Sequence, residues 1–159
     1  MKIALSAMFG AIVFSTCFAT AVQGEAADLH RIFTPSEVHW GPAPPAMRAG
    51  VQAAVLYGDP SKEGLFVLRL KFPKGSVLPP HMHPVNELVT VISGVSQLGM
   101  GEQADQNETR KLPPGSFFFL PPEMAHFAFF DEETVIQIST TGPWAVTYVN
   151  PEDDPRNSQ

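Results

Sequence analysis

GSVLPPHMHPVNELVTVISG, running from Gly75 to Gly94, decides how the rest of the chain is read. His81 and His83 are two residues apart, so on a strand both imidazoles point to one face. Glu87 follows four residues later. That spacing leaves a straight face, but Pro84-Val85-Asn86 turns the chain into a second strand, Glu87–Ile92, and brings the carboxylate back. A third imidazole, His126, opens a later strand just beyond Pro121-Pro122. The expected arrangement has two imidazoles from one strand, a carboxylate from its neighbour and the third imidazole from a facing strand. Three neutral nitrogens and one carboxylate suit one divalent ion among Fe, Mn, Cu, Zn and Ni. Four protein ligands on an octahedral ion leave two positions open.

Outward from this stretch, short β-branched and aromatic runs continue: Val51–Tyr57, Leu65–Phe72, Val95–Met100, Ser116–Leu120, His126–Phe130, Thr134–Thr140 and Trp144–Val149. Gly58-Asp59-Pro60, Pro73-Lys74-Gly75, Ser93-Gly94, Pro113-Pro114-Gly115 and Gly142-Pro143 punctuate them. Strands at this spacing, with turn residues between, predict an all-β single domain, an antiparallel sandwich or barrel. Leu65–Phe72 carries the alternation most clearly, with Phe66, Leu68, Leu70 and Phe72 on one face and Arg69 and Lys71 on the other. Ala27–Gly50 is less regular. Leu29–Phe33 and Glu37–Trp40 are expected as short edge strands and Gly41–Pro45 as an extended crossing. Residues 151–159 read as a flexible acidic tail.

The 159 residues suit one domain, and 44% apolar against 16% charged residues is enough to build a core. The net charge is −6 with no basic stripe, which sets nucleic-acid binding aside. Residues 1–26 differ in kind. Lys2 precedes a nearly unbroken apolar and small-residue run to Ala21, followed by Ala19-Thr20-Ala21 and Gly24-Glu25-Ala26 as cleavage frames. This is the pattern of a secretory signal peptide, so residues 27–150 are expected to form an exported domain, periplasmic or secreted and free of the membrane after cleavage. The one cysteine, Cys17, falls in the leader. A cleaved chain would hold no disulfide and no thiol ligand.

These motifs resemble the cupin superfamily. Its first motif is Gly, five residues, His-x-His, three or four residues, Glu, six residues, Gly, and Gly75, His81, His83, Glu87 and Gly94 fill every position. Its second motif is matched by Gly115, Pro121 and His126. Glu123 stands where a Gly is usual, and Phe130 where an Asn is usual. The resemblance implies a jelly-roll β-barrel with a metal in its mouth, and frequently a homodimer. It does not fix a reaction, because similar barrels serve as oxygenases, isomerases, storage proteins and sensors.

The pocket wall is expected to be apolar: Phe117 and Phe119, or alternatively Phe118, with Val89, Val91, Ala128, Phe130 and Met100. Glu123 and Gln137 are the polar catalytic candidates, the first as an acid or base at the rim, the second as a hydrogen-bond partner of His126 or substrate. His30 and His39 read as ordinary surface or interface histidines. The resulting functional expectation is a metal-dependent enzyme of oxygenase or oxidoreductase type acting on a small molecule, with isomerase or lyase chemistry equally compatible. The alternative is a non-catalytic metal or small-ligand binding barrel.

Overall fold

Two antiparallel sheets carry the structure, a computed structural model that describes residues 30–157. In chain order the strands are β1 (Gly41–Pro42), β2 (Gln52–Tyr57), β3 (Gly64–Phe72), β4 (Ser76–Met82), β5 (Glu87–Ser93), β6 (Ser96–Met100), β7 (Thr109–Leu112), β8 (Phe117–Leu120), β9 (His126–Phe130), β10 (Thr134–Gly142) and β11 (Thr147–Tyr148). The larger sheet runs β1-β2-β3-β10-β5-β8 and the smaller β11-β4-β9-β6-β7. They stay separate rather than closing edge to edge, so the jelly roll is a sandwich of two facing sheets. The expected signal peptide and Cys17 lie outside the described residues.

Period-2 patterning builds the core. Along β3, Phe66, Leu68, Leu70 and Phe72 are no more than 1% exposed, while Val67, Arg69 and Lys71 on the outer face are only half-buried. β10 pairs with β3 so that Ile136 faces Leu70 and Ile138 faces Leu68, which extends the same apolar face. The smaller sheet answers with Leu78, Ala128 and Phe130. Phe72 of β3 stacks on Phe130 of β9 at 4.1 Å and 10°, tying the two sheets together. Burying such a ring contributes about 1.5–3 kcal/mol, and its stacking adds roughly 0.5–1.5 kcal/mol.

The turn glycines of the motifs hold the backbone the motifs need. Gly75, Gly94 and Gly115 have φ of 79°, 71° and 86°, a region costly to residues with a Cβ. At Gly94 a Cβ would also run into the Glu133 carbonyl oxygen and Thr134.

Several expectations need correction. Among the described residues no strand precedes Gly41. Pro35–Glu37 forms a 3₁₀ turn instead, because the Glu37 carboxylate reaches back to accept from the Thr34 N–H at 2.7 Å and its hydroxyl at 2.8 Å. The last strand shrinks to Thr147–Tyr148, since the Trp144 N–H is taken by the Pro60 carbonyl at 2.8 Å. Within the acidic end, expected to be flexible, the described residues 151–157 carry two 3₁₀ turns. They are pinned by Arg48 to Asp153 at 2.9 Å and by Arg156 to the Val146 carbonyl at 3.0 Å.

Candidate metal centre

β4 enters the site through Pro79 and Pro80, which cannot donate to a ladder. The pairing of β4 with β9 accordingly shifts register between Leu78 and His81. Past this irregularity His81 lies opposite His126 of β9 on one side and Tyr148 of β11 on the other. His83 follows in the turn. Glu87 is the first residue of β5, in the larger sheet, so the expected assignment of neighbour and facing strand is reversed. The third imidazole comes from the hydrogen-bonded neighbour of β4, and the carboxylate reaches across from the facing sheet.

All four groups are at least 95% buried. The ligand nitrogens of His81, His83 and His126 lie within 4.8 Å of one another. Glu87 Oε1 is 3.2 Å from His83 Nε2, and Oε2 is 3.5 Å from His126 Nε2. The backbone fixes the imidazole tautomers. Nδ1 of His81 lies 2.8 Å from the Pro79 carbonyl oxygen, that of His83 2.7 Å from Ala145, and that of His126 3.0 Å from Met124. A carbonyl only accepts, so each Nδ1 carries the proton and each Nε2 presents a lone pair. Outer hydrogen bonds of this kind orient metal-binding histidines. His83 Nε2 is buried without a hydrogen-bond partner.

The electrostatics favour neutral rings at His81 and His83. Burial, then the nearness of His126 and His83, holds the His81 pKa well below the usual imidazole range. Burial also lowers that of His83, against the pull of Glu87. For Glu87 burial acts upward but is outweighed by His126, His83 and Trp144, so its carboxyl stays below the ordinary value. Neutral imidazoles beside an ionised carboxylate are the protonation states a divalent cation requires. Donors about 2.1 Å from one ion stand at most about 4.2 Å apart, so these groups can close on an ion by small side-chain movements. Three buried histidines can therefore form a metal site.

A cavity of about 30 Å³ adjoins the cluster, walled by Met47, Leu70, Phe118, Ile136, Ile138 and Trp144 among others. Of the alternative pairings, Phe118 lines it, while Phe117 and Phe119 are 60% and 52% exposed on the outer face. Met100 is 48% exposed and outside it. Ala128 and Phe130 line it as expected, whereas Val89 and Val91 are buried in the core and not among its wall. Gln137 is misplaced by the expectation. It lies opposite Arg69 in the register and accepts from its Nε at 3.0 Å on the outer face, because the isoleucines on either side of it take the inner one. Glu123 is an exposed residue whose backbone N–H donates to the His83 carbonyl at 2.9 Å.

Trp144 was missed. Its ring stacks on His83 with centroids 5.0 Å apart and planes at 19°. Trp144, Val146 and Tyr148 share strand parity, and that alternation is the signal that could have placed the indole inward. Tyr148 lies 6.0 Å from His81 and donates to the Ala46 carbonyl at 2.7 Å. Burial pushes its phenol up to about 12.

A family model described as a domain of unknown function, DUF4437, matches residues 27–147. Germin-like protein subfamily 1 member 1 of Arabidopsis thaliana is 34% identical over 67 residues, 42% of this chain and 31% of that protein. Germin-like protein 3-1 of Oryza sativa is 30% identical over 96 residues, 52% of this chain and 43% of the relative. The chain thus spans less than half the length of these relatives. Among solved structures, the polyketide cyclase RemF of Streptomyces resistomycificus superposes with a TM-score of 0.63 at 18% identity, covering 80% of this chain and 90% of that one. KdgF from Halomonas sp. gives 0.53 at 25%, covering 71% and 94%. The two-motif spacing, the facing antiparallel sheets and these matches agree: the chain belongs to the DUF4437 family and is a member of the cupin superfamily.

Proposed function

We propose that the protein holds one divalent metal ion through His81, His83, Glu87 and His126 and acts as a metal-dependent enzyme, of oxidoreductase type, on a small molecule. The observation that carries this reading is the convergence of the three rings, each with its Nδ1–H committed to a carbonyl and its Nε2 lone pair left for the centre. A bound divalent ion would supply a Lewis-acid or redox centre. The chain's own residues orient the ligands, and the apolar wall keeps water scarce. A cavity of about 30 Å³ has room for the ion and a few ligand atoms, which favours a substrate that presents one small polar group.

Support from the fold is general. Cupin neighbours include enzymes named as a polyketide cyclase and a DMSP lyase, at identities that carry the fold alone. A second reading, a non-catalytic metal-binding barrel, is favoured by the cavity's lining, which includes no Arg, Lys or Tyr to anchor or protonate a substrate. We further propose export by the leader at residues 1–26 and assembly as a homodimer. No helix among the described residues is long and apolar enough to cross a membrane.

Elemental analysis of protein recovered from its native compartment, beside a His81→Ala/His126→Ala variant, tests the reading. The expected result is close to one equivalent of a single metal, lost in the variant. Bound iron, manganese or copper would favour oxidoreductase chemistry, and zinc or nickel the Lewis-acid or binding alternatives. Metal-free protein from both sources would overturn the proposal.

A further inference from the structure

Trp144 lies outside the ligand set, yet it meets two of its members. Its ring stacks on His83, and the next residue, Ala145, takes the His83 Nδ1–H on its carbonyl at 2.7 Å. The indole is itself held in place. Phe66 packs edge-on at 6.5 Å and 63°, and the Trp144 backbone N–H donates to the Pro60 carbonyl at 2.8 Å. At Gly142, just before, the chain runs so close to the Lys62 and Pro60 carbonyl oxygens that a Cβ would not fit.

What this well-fixed side chain does with its polar end is unaccounted for by packing. Indole Nε1 is buried and has no hydrogen-bond partner. Such a donor is costly to leave unmade and rare without a reason. An anionic group shares its surroundings: Glu87 lines the same buried cavity as Trp144. The Glu87 oxygens are turned toward His83 and His126. When a cation draws one carboxylate oxygen to itself, the other is left in an apolar cavity in need of a donor. Of the buried side-chain atoms without a partner among the described residues, His83 Nε2 is an acceptor, which leaves the indole N–H as the donor.

We infer that Trp144 is a positioning residue of the centre: its ring fixes the plane of His83, and its indole N–H donates to the Glu87 carboxylate when that group engages a cation. This rests on the metal-binding reading above. The two contacts separate by substitution, since Trp144→Phe keeps an aromatic face and removes the N–H, whereas Trp144→Leu removes both.

The test measures Zn(II) and Co(II) affinity of the mature protein and both variants by competition with a chromophoric chelator, and records the visible spectrum of the Co(II)-loaded forms. Trp144→Phe is expected to weaken binding ~10-fold, as loss of an outer hydrogen bond does, and to shift the Co(II) visible bands because Glu87 is held differently. Trp144→Leu is expected to bind more weakly still. Trp144→Phe binding within two-fold of the unaltered protein, with an unchanged Co(II) spectrum, would overturn the inference. So would a lowered melting temperature of the metal-free variant as its sole defect. Trp144→Phe decides alone if the leucine variant does not fold. Failure of the unaltered protein to bind either ion would instead sink the metal reading itself, and this inference with it.

Discussion

Oε1 of Glu87 lies 3.2 Å from Nε2 of His83, a carboxylate from one sheet against an imidazole from the turn that leaves the other. Both are buried, so each is the other's charge partner only when His83 is protonated, and burial opposes that state. A cation placed between them resolves the conflict. Glu87→Gln keeps the shape and removes the charge, and His83→Gln removes the imidazole. Each is expected to lower metal affinity by more than the ~10–100-fold typical of outer-shell partners. Chelator competition checks this; unchanged affinity in either variant would remove that residue from the ligand set.

Acidification should destabilise the metal-free fold, and the sign follows from the directions of the shifts. His81 and His83 are held below the ordinary imidazole pKa in the folded chain, so below about pH 6.5 the unfolded state binds more protons. Stability from these two groups is therefore present above that pH and lost as pH falls toward their folded values. The slope is about 1.4 kcal/mol per pH unit for each proton taken up on unfolding. Urea unfolding of chelator-treated protein at pH 7.5 and 5.5 measures it. A His81→Gln/His83→Gln variant should show a shallower dependence. Equal slopes would assign the effect to other groups.

Glu123 occupies the position where the family pattern has glycine, and its φ is 60°. A side chain in that region costs roughly 1–2 kcal/mol. Glu123→Gly should stabilise the protein by about 1 kcal/mol, while Glu123→Ala, which keeps the Cβ, should gain nothing. Because the carboxylate is exposed, metal affinity should stay within two-fold. A gain in the alanine variant equal to that of glycine would show that charge, not backbone strain, sets the effect.

The strand plan and the four convergent groups were legible because their signals are local. β3 announces itself by alternation, and His-x-His puts both rings on one side of any extended segment. What stayed hidden depends on distant partners or on patterns with no period. β4 carries Pro79 and Pro80, which cannot donate to a ladder, and only the pairing with β9 shows that a register shift absorbs them. Phe117-Phe118-Phe119 has no alternation to betray which ring turns inward. Gln137 looked available as a polar residue near the site until the register set it opposite Arg69. Trp144 gains its role only by meeting His83, 61 residues earlier in the chain.

The same facing rule yields a contrast between rings. Phe72 is fully buried and stacked across the sheets on Phe130, whereas Phe119, half exposed, lies on the outer face of β8 opposite Leu88. Phe72→Ala should cost about 3–5 kcal/mol, because it removes a buried ring and leaves a space its rigid neighbours cannot fill. Phe119→Ser should change stability by no more than about 0.5 kcal/mol. Urea unfolding of the two variants side by side measures both. A small loss at Phe72 with a large one at Phe119 would mean that the two faces of the larger sheet have been assigned the wrong way round. The inward placement of Phe118, and with it the apolar wall of the metal cavity, would then fail too.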